Sequence, residues 1–302
     1  MSILTAYKNQ VELLLDVLPF IQDDTRFALK GGTAINLFHR NMPRLSVDID
    51  LTYLPIEPRD VFLKNLTQAM QNLANKMMAQ GLHVEIKRSG QSIIKLLVTN
   101  HQATIKVEPN TVLRGSVFDP EIKELVDAAQ IIFLQTQKVK TVSMADLYAG
   151  KICAALDRQH PRDLFDIKLL FENEGITTPI QQAFVVYLAC SPRPMAQLLA
   201  PSELDMKSVF HKEFIDMTEV PVDYADLHEV RKQLIKKIQD SLLPNEKDFL
   251  ISVKLGEPQW DLMPIPNLSE LPGIRWKVIN IQKMDKGARL IALQKLKKIL
   301  DR

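Results

Sequence analysis

Leu29-Lys30-Gly31-Gly32-Thr33-Ala34-Ile35-Asn36-Leu37-Phe38-His39-Arg40, followed shortly by Leu45-Ser46-Val47-Asp48-Ile49-Asp50-Leu51, is the stretch on which the reading of this chain turns. Its second part alternates apolar and polar residues, which predicts a strand with one polar face. Side chains two apart on a strand project the same way, so Asp48 and Asp50 stand side by side. Two such carboxylates repel unless a cation holds them. Mg²⁺ suits them, because it takes oxygen ligands and shares its shell with substrate phosphates. In the first part, Gly31 and Gly32 let the backbone approach a phosphate with no Cβ in the way. A short helix predicted from Thr33 to Arg40 turns its free N–H groups and its dipole toward the same place. A phosphate cradle beside a dicarboxylate metal site is the equipment of phosphoryl or nucleotidyl transfer. Ser46 shares the strand face of Asp48, where it contacts phosphate or metal or merely hydrogen-bonds locally.

Working outward, residues 5–20 place Val11, Leu14, Leu15 and Leu18 on one helical stripe, and Phe27-Ala28-Leu29 is a short apolar piece ahead of the glycines. A longer amphipathic helix is predicted over 59–80, stopped by Gly81. Alternating runs at His83–Lys87, Ser92–Val98 and Ala103–Glu108 predict an antiparallel meander beside the first strands. On the last of these Ile105 and Val107 face one side, and Thr104, Lys106 and Glu108 the other. Glu108 is therefore the candidate third carboxylate and general base, with a solvated strand residue as the alternative.

A second cluster follows. Ser143-Met144-Ala145-Asp146 has the form of a capping box and opens a helix running to Arg158. Lys151 and Arg158 lie two turns apart on one face of it, and a lysine aimed at a triphosphate would neutralise charge on a departing pyrophosphate. Asp163 and Asp166 share a face of the next helix, predicted from Arg162 to Glu174. They either orient Lys151 and Arg158, contact a base or acceptor, or simply form an ion-pair network between two helices. Beyond Gly175 the character becomes helical, with helices predicted at 180–190, 224–242, 245–255 and 287–301 and Pro-rich connections around 191–201 and 258–272. The last helix carries Lys295, Lys297, Lys298 and Arg302, a basic face that is either solvated or in contact with RNA. His39 and His160 are isolated histidines, His160 with a lesser reading as a cleft residue; Met77, Met78, Trp260 and Trp276 are expected to be packing residues.

The 302 residues are enough for about two domains, and 46% hydrophobic with 25% charged content is an ordinary globular balance. A formal net charge of +2 leaves any nucleic-acid surface to local clustering. Only Cys153 and Cys190 are present, without metal-ligand spacing, so both are expected to be reduced thiols in a cytoplasmic protein. The N-terminal segment lacks the basic start and unbroken apolar core of a signal peptide, and no run reaches the ~18 apolar residues of a membrane span. There is no G-x-x-x-x-G-K-[ST] and no G-x-G-x-x-G, and Asp48-x-Asp50 lacks the central glycine and third ligand of an EF-hand.

Taken together, Lys30-Gly31-Gly32-Thr33-Ala34, Arg44-x-Ser46-x-Asp48-x-Asp50-Leu51, Lys151 with Arg158, and Arg162-Asp163-Leu164-Phe165-Asp166 resemble the AbiEii/AbiGii toxin family of the DNA polymerase β-like nucleotidyltransferase superfamily. So do Asp248-Phe249-Leu250, Gly256-Glu257-Pro258-x-Trp260, and Leu271-Pro272-Gly273-Ile274-Arg275-Trp276 with Asn280. The resemblance implies that Gly32 and Thr33 hold NTP phosphates, that Asp48 and Asp50 bind Mg²⁺, and that Lys151 and Asp166 are essential, with Arg158 and Asp163 beside them; Gly31 and Ser46 are nucleotide-binding candidates from the glycine pair and the strand face. Glu108 is the weakest transfer, since members vary there. It also implies a type IV toxin–antitoxin toxin able to abort phage infection, a nearby-encoded antitoxin as partner, and an acceptor that in some relatives is tRNA.

The expected fold is α+β: a nucleotidyltransferase (polymerase β-like) domain with a twisted mixed sheet over residues 1–175, then a helical C-terminal domain over 176–302. The rivals are a protein-modifying transferase of AMP or UMP and a nucleotide-binding protein without turnover. A metal-dependent sugar transferase is more distant, because too little chain precedes Asp48 to form a nucleotide-binding half-domain.

Overall fold

The structure, a computed structural model, describes residues 5–215, 217–218 and 221–301, so Arg302 of the basic last helix lies outside the described residues. The chain divides into two compact units, Met1–Ser143 with Asp216–Pro221, and Met144–Ile215 with Val222–Arg302.

The first unit contains α1 (Thr5–Gln22), β1 (Phe27–Lys30), α2 (Gly31–Ala34), a π-helical turn (Ile35–His39) continuing α2, and β2 (Asp48–Tyr53). Then come α3 (Arg59–Ala79), β3 (His83–Ser89), β4 (Ser92–Thr99), β5 (Thr104–Pro109), β6 (Glu121–Glu124), α4 (Asp127–Phe133) and β7 (Lys138–Thr141). The strands form one seven-stranded mixed sheet in the order β3-β4-β5-β2-β1-β7-β6. The β3-β4-β5 meander is antiparallel, as the alternation predicts, and it joins β2 through a parallel β2–β5 pairing. Strand β1 runs antiparallel to β2 and parallel to β7.

The alternation in these strands decides which face is dry. Ile49 and Leu51 of β2, Leu96 and Val98 of β4, and Ile105 and Val107 of β5 are all buried, and α1 and α3 pack against this part of the sheet. Helix α1 supplies the predicted stripe of Val11, Leu14, Leu15 and Leu18, all fully buried, and α3 supplies Phe62, Leu66, Met70, Leu73 and Met77 at helical spacing. Each such side chain withdrawn from water contributes about 1.5–3 kcal/mol. Met77 is core as expected; Met78, one residue on, is 43% exposed. With one face covered by helices, Asp48, Asp50, Lys106 and Glu108 are left on the other.

The second unit is helical: α5 (Met144–Arg158), α6 (Pro161–Glu172), α7 (Thr178–Cys190), α8 (Met195–Leu199), α9 (Lys207–Glu213), α10 (Tyr224–Ser241), α11 (Pro244–Leu255), α12 (Pro272–Gln282) and α13 (Lys286–Leu300). Helix α7 is apolar nearly all round and packs on α5, α11 and α12. Helix α12 starts at a proline in its first turn, where the missing N–H costs nothing. Trp260 packs against Phe249, with ring centroids 6.2 Å apart. Trp276 is 47% exposed and is not the packing anchor its size suggests. Cys153 and Cys190 are free, and burial pushes the Cys153 thiol up to about 12. Among the described residues no helix is long and apolar enough to cross a membrane.

Candidate active site

The glycine turn and the acidic strand meet within the first unit. The helix after β1 begins at Gly31, two residues earlier than the sequence suggests, so both glycines belong to its first turn and not to a loop before it. Gly31 has φ +74°, a left-handed conformation that glycine adopts without a Cβ penalty. A Cβ at Gly31 would collide with the Asp50 carboxylate, and one at Gly32 would fall 2.7 Å from Arg44 Nη2 and 2.8 Å from Ser46 Oγ. The glycines are therefore where backbone, Asp50, Arg44 and Ser46 crowd together.

The surrounding polar groups fix that geometry. Thr33 is fully buried; its hydroxyl donates to the Asp48 carbonyl and lies 3.1 Å from Ser46 Oγ. The Thr33 side chain thus ties α2 to β2. Asn36 Nδ2 donates to the Gly32 carbonyl at 2.9 Å. Arg44 is buried, donates from Nη1 to the Leu45 carbonyl at 2.8 Å, and shares a backbone bridge with Thr218. The adjacent Leu45 N–H donates to the Met217 carbonyl at 2.9 Å.

On the sheet face the register sets Asp48 opposite Lys106 and Asp50 opposite both Glu108 and Lys30. Lys106 Nζ is 3.8 Å from Asp48 Oδ1. Glu108 lies in the row beside Asp50, as its alternation predicts, but its carboxylate is ion-paired with Lys95 of β4. That hydrogen bond to Glu108 raises the Lys95 pKa above its ordinary value. Among the described residues no group of three His, Cys, Asp or Glu side chains is gathered as a metal site. The donor set that remains, two carboxylates on one strand face, fits Mg²⁺, which binds through one or two protein carboxylates and fills its shell with water and substrate phosphates.

The second cluster lies within the helical unit. Lys151 Nζ is 2.8 Å from Asp163 Oδ1 and 2.9 Å from Asp166 Oδ2, all three side chains buried. Arg158 holds Asp163 through Nε at 2.5 Å and Nη2 at 3.0 Å, while its own side chain is 62% exposed. One face of α5 thus meets one face of α6, as the spacing predicts. Burial alone would raise the Asp163 pKa; the Lys151 charge and the Arg158 hydrogen bonds outweigh it and hold this carboxyl well below the ordinary carboxylate range. The two cations balance the two anions, and Arg158 is the member open to solvent.

His160 is the N-cap of α6, its Nδ1 accepting the Arg162 N–H at 3.2 Å, and His39 Nε2 is 3.2 Å from Thr141 Oγ1. Arg44 escaped the sequence reading as a site residue. Its placement against Gly32 depends on the return of the chain at 217–218, which no local pattern announces. Lys106 was legible from the alternation of β5, and Lys95 was not, because it reaches Glu108 from another strand.

With the geometry in hand, the comparisons are specific. The family model described as nucleotidyl transferase AbiEii toxin, type IV TA system, matches residues 12–265. The chain belongs to this family, and is a nucleotidyltransferase toxin of a type IV toxin–antitoxin system. No curated protein matches it. Among solved structures it is similar to MenT4, a nucleotidyltransferase toxin from Mycobacterium tuberculosis H37Rv, with TM-score 0.58 and 14% identity, covering 95% of this chain and 91% of that one. That similarity is one of fold.

Proposed function

We propose that the protein transfers a nucleotide from Mg²⁺–NTP to an RNA hydroxyl, with tRNA as the favoured acceptor. The observation that carries this reading is the crowding of the Asp50 carboxylate against Gly31, so close that a Cβ there would collide with it, which sets the acidic pair directly beside the glycine turn. In this reading Asp48 and Asp50 hold the metal, which when bound supplies Lewis-acid polarisation of the α-phosphate. The backbone of Gly31, Gly32 and Thr33, with Ser46, receives the triphosphate. The Thr33 hydroxyl contributes by holding the turn to β2, because it is already committed to Asp48.

Deprotonation of the acceptor hydroxyl falls to Glu108 once Lys95 releases it, or to an acid of the Asp48/Asp50 pair. Arg158 is assigned to the phosphates, being exposed and oriented by Asp163, and neutralises charge on the departing pyrophosphate. Lys151, held by Asp166, fixes Asp163 and through it the position of that arginine. By these roles the nucleotidyltransferase part is 1–175, and 176–302 is a helical support that includes the basic α13. A nearby-encoded antitoxin, a cytoplasmic site of action and growth arrest or abortive phage infection complete the proposal.

The test is incubation with each labelled NTP, Mg²⁺ and total tRNA, beside Asp48→Ala and with cell protein as a second acceptor. Label in RNA with one nucleotide preferred, lost in Asp48→Ala, is the expected result. Label in protein alone would replace the acceptor class, and binding of all four NTPs without any transfer would leave a nucleotide-binding protein.

A further inference from the structure

Away from the two clusters, the helical unit has a half-open cavity of about 330 Å³. Met195, Ile291, Ala292 and Leu296 contribute an apolar lining from α8 and α13, and Lys254 and Lys295 contribute the cations. Lys295 is exposed on α13, and its charge is solvated. Lys254 is different: it is only 8% exposed, and its ammonium has Met284 Sδ, 3.9 Å away, as its hydrogen-bonding neighbour. A thioether is a weak acceptor. Lys277, 9% exposed, satisfies its own ammonium with the carbonyls of Ser191 and Arg193, at 2.7 Å each. Among the described residues no carboxylate lies within ion-pair distance of either lysine.

Buried ammonium groups are ordinarily paired, since their desolvation is otherwise uncompensated. Here the cost is visible on both side chains. Burial lowers the Lys254 pKa, and burial followed by the charge of Lys254 brings Lys277 down to about 8. Lys277 meets its need with two carbonyls, but Lys254, buried at the rim of an apolar cavity large enough for a small ligand, has only a thioether, and among the described residues no acid answers its charge.

We propose that this cavity binds a small amphiphilic anion, an aliphatic chain with a carboxylate or phosphate head, with Lys254 taking the head and Met195, Ala292 and Leu296 lining the chain. The aliphatic body follows from the lining, which contains no aromatic ring on which a nucleobase could stack. The site is separate from the proposed transfer chemistry and stands or falls independently of it.

Calorimetric titration of the full chain with octanoate, octyl phosphate and 1-octanol, each below its micelle threshold, tests the proposal. Octanoate or octyl phosphate should bind at one equivalent, whichever binds tighter naming the head group, and 1-octanol at least tenfold more weakly. Lys254→Met should weaken the anion at least tenfold, and Ala292→Trp, which fills the cavity from the α13 side, should abolish binding. Lys298→Met, on an exposed turn of the same helix, should bind as the parent does. Melting temperatures of the variants without ligand establish that each is folded. Absence of binding by both anions, equal binding of the alcohol, or unchanged affinity in both Lys254→Met and Ala292→Trp would overturn it.

Discussion

At Gly31 two demands coincide: a backbone at φ +74° and no atom where a Cβ would meet the Asp50 carboxylate. Alanine meets neither. Gly31→Ala should cost about 1–2 kcal/mol in backbone strain. By displacing Asp50 or the turn it should also lower transfer by about two orders of magnitude, the scale of an ångström-sized misplacement of a reacting group. Thermal melting and labelled-NTP transfer on the same sample separate the two effects; a folded variant with parental turnover would remove Gly31 from the site. Thr33→Val asks a different question two residues on. The shape is kept, but the part-buried bond to the Asp48 carbonyl goes, at about 1 kcal/mol. Urea unfolding should show a lower midpoint with an unchanged slope.

At the scale of elements, the α5–α6 face depends on its charge state. Asp163 has a depressed pKa in the folded protein, so its contribution is complete at neutral pH. It drains away as pH falls below the ordinary carboxylate value, from about pH 4.5 downward, because the unfolded chain then binds the proton more readily. Asp163→Asn should lose about 3–5 kcal/mol at pH 7, since it removes one of the two acids that hold the buried Lys151. It should also show a shallower fall in stability between pH 5 and pH 3 than the parent, measured as urea midpoints along the pH series. An identical pH slope in both proteins would contradict the pairing.

Elements differed in how legible they were. β2, β5, α1 and α3 carry strong periodicity, because each has one dry face, and that periodicity makes them legible as elements. β6 and β7 were missed for a physical reason: Glu121-Ile122-Lys123-Glu124 is an edge strand whose Ile122 is 62% exposed, and Lys138–Thr141 buries little beyond Val139 and Thr141. Neither needs an apolar pattern, because pairing alone places them. Helix α12 was hidden by Pro272-Gly273, which reads as a turn while serving as a helix start.

For the whole molecule, the matched region 12–265 includes every candidate site residue, from Gly31 to Asp166. Spacing alone placed Asp48 and Asp50 on one strand face, Lys151 with Arg158 on one helix face and Asp163 with Asp166 on the next, with pairing of the last two sets as one of its open readings. Contacts made across long separations were beyond it: Lys95 drawing Glu108, and the segment at 217–218 holding Arg44 and Leu45. Such contacts arise from chain return and cross-strand geometry, which leave no local period. They also bear on chemistry, since the ion pair with Lys95 engages the Glu108 carboxylate.

The central claim is that Asp48 and Asp50 together hold a divalent ion with the nucleotide. Mn²⁺ titration followed by electron paramagnetic resonance, in the presence of a non-hydrolysable NTP, addresses it without depending on the acceptor. The parent should take up one Mn²⁺ per chain with the nucleotide, Asp48→Asn and Asp50→Asn should each weaken that uptake at least tenfold, and Glu108→Gln should weaken it less. Parental Mn²⁺ uptake in both aspartate variants, with the fold intact, would contradict the account.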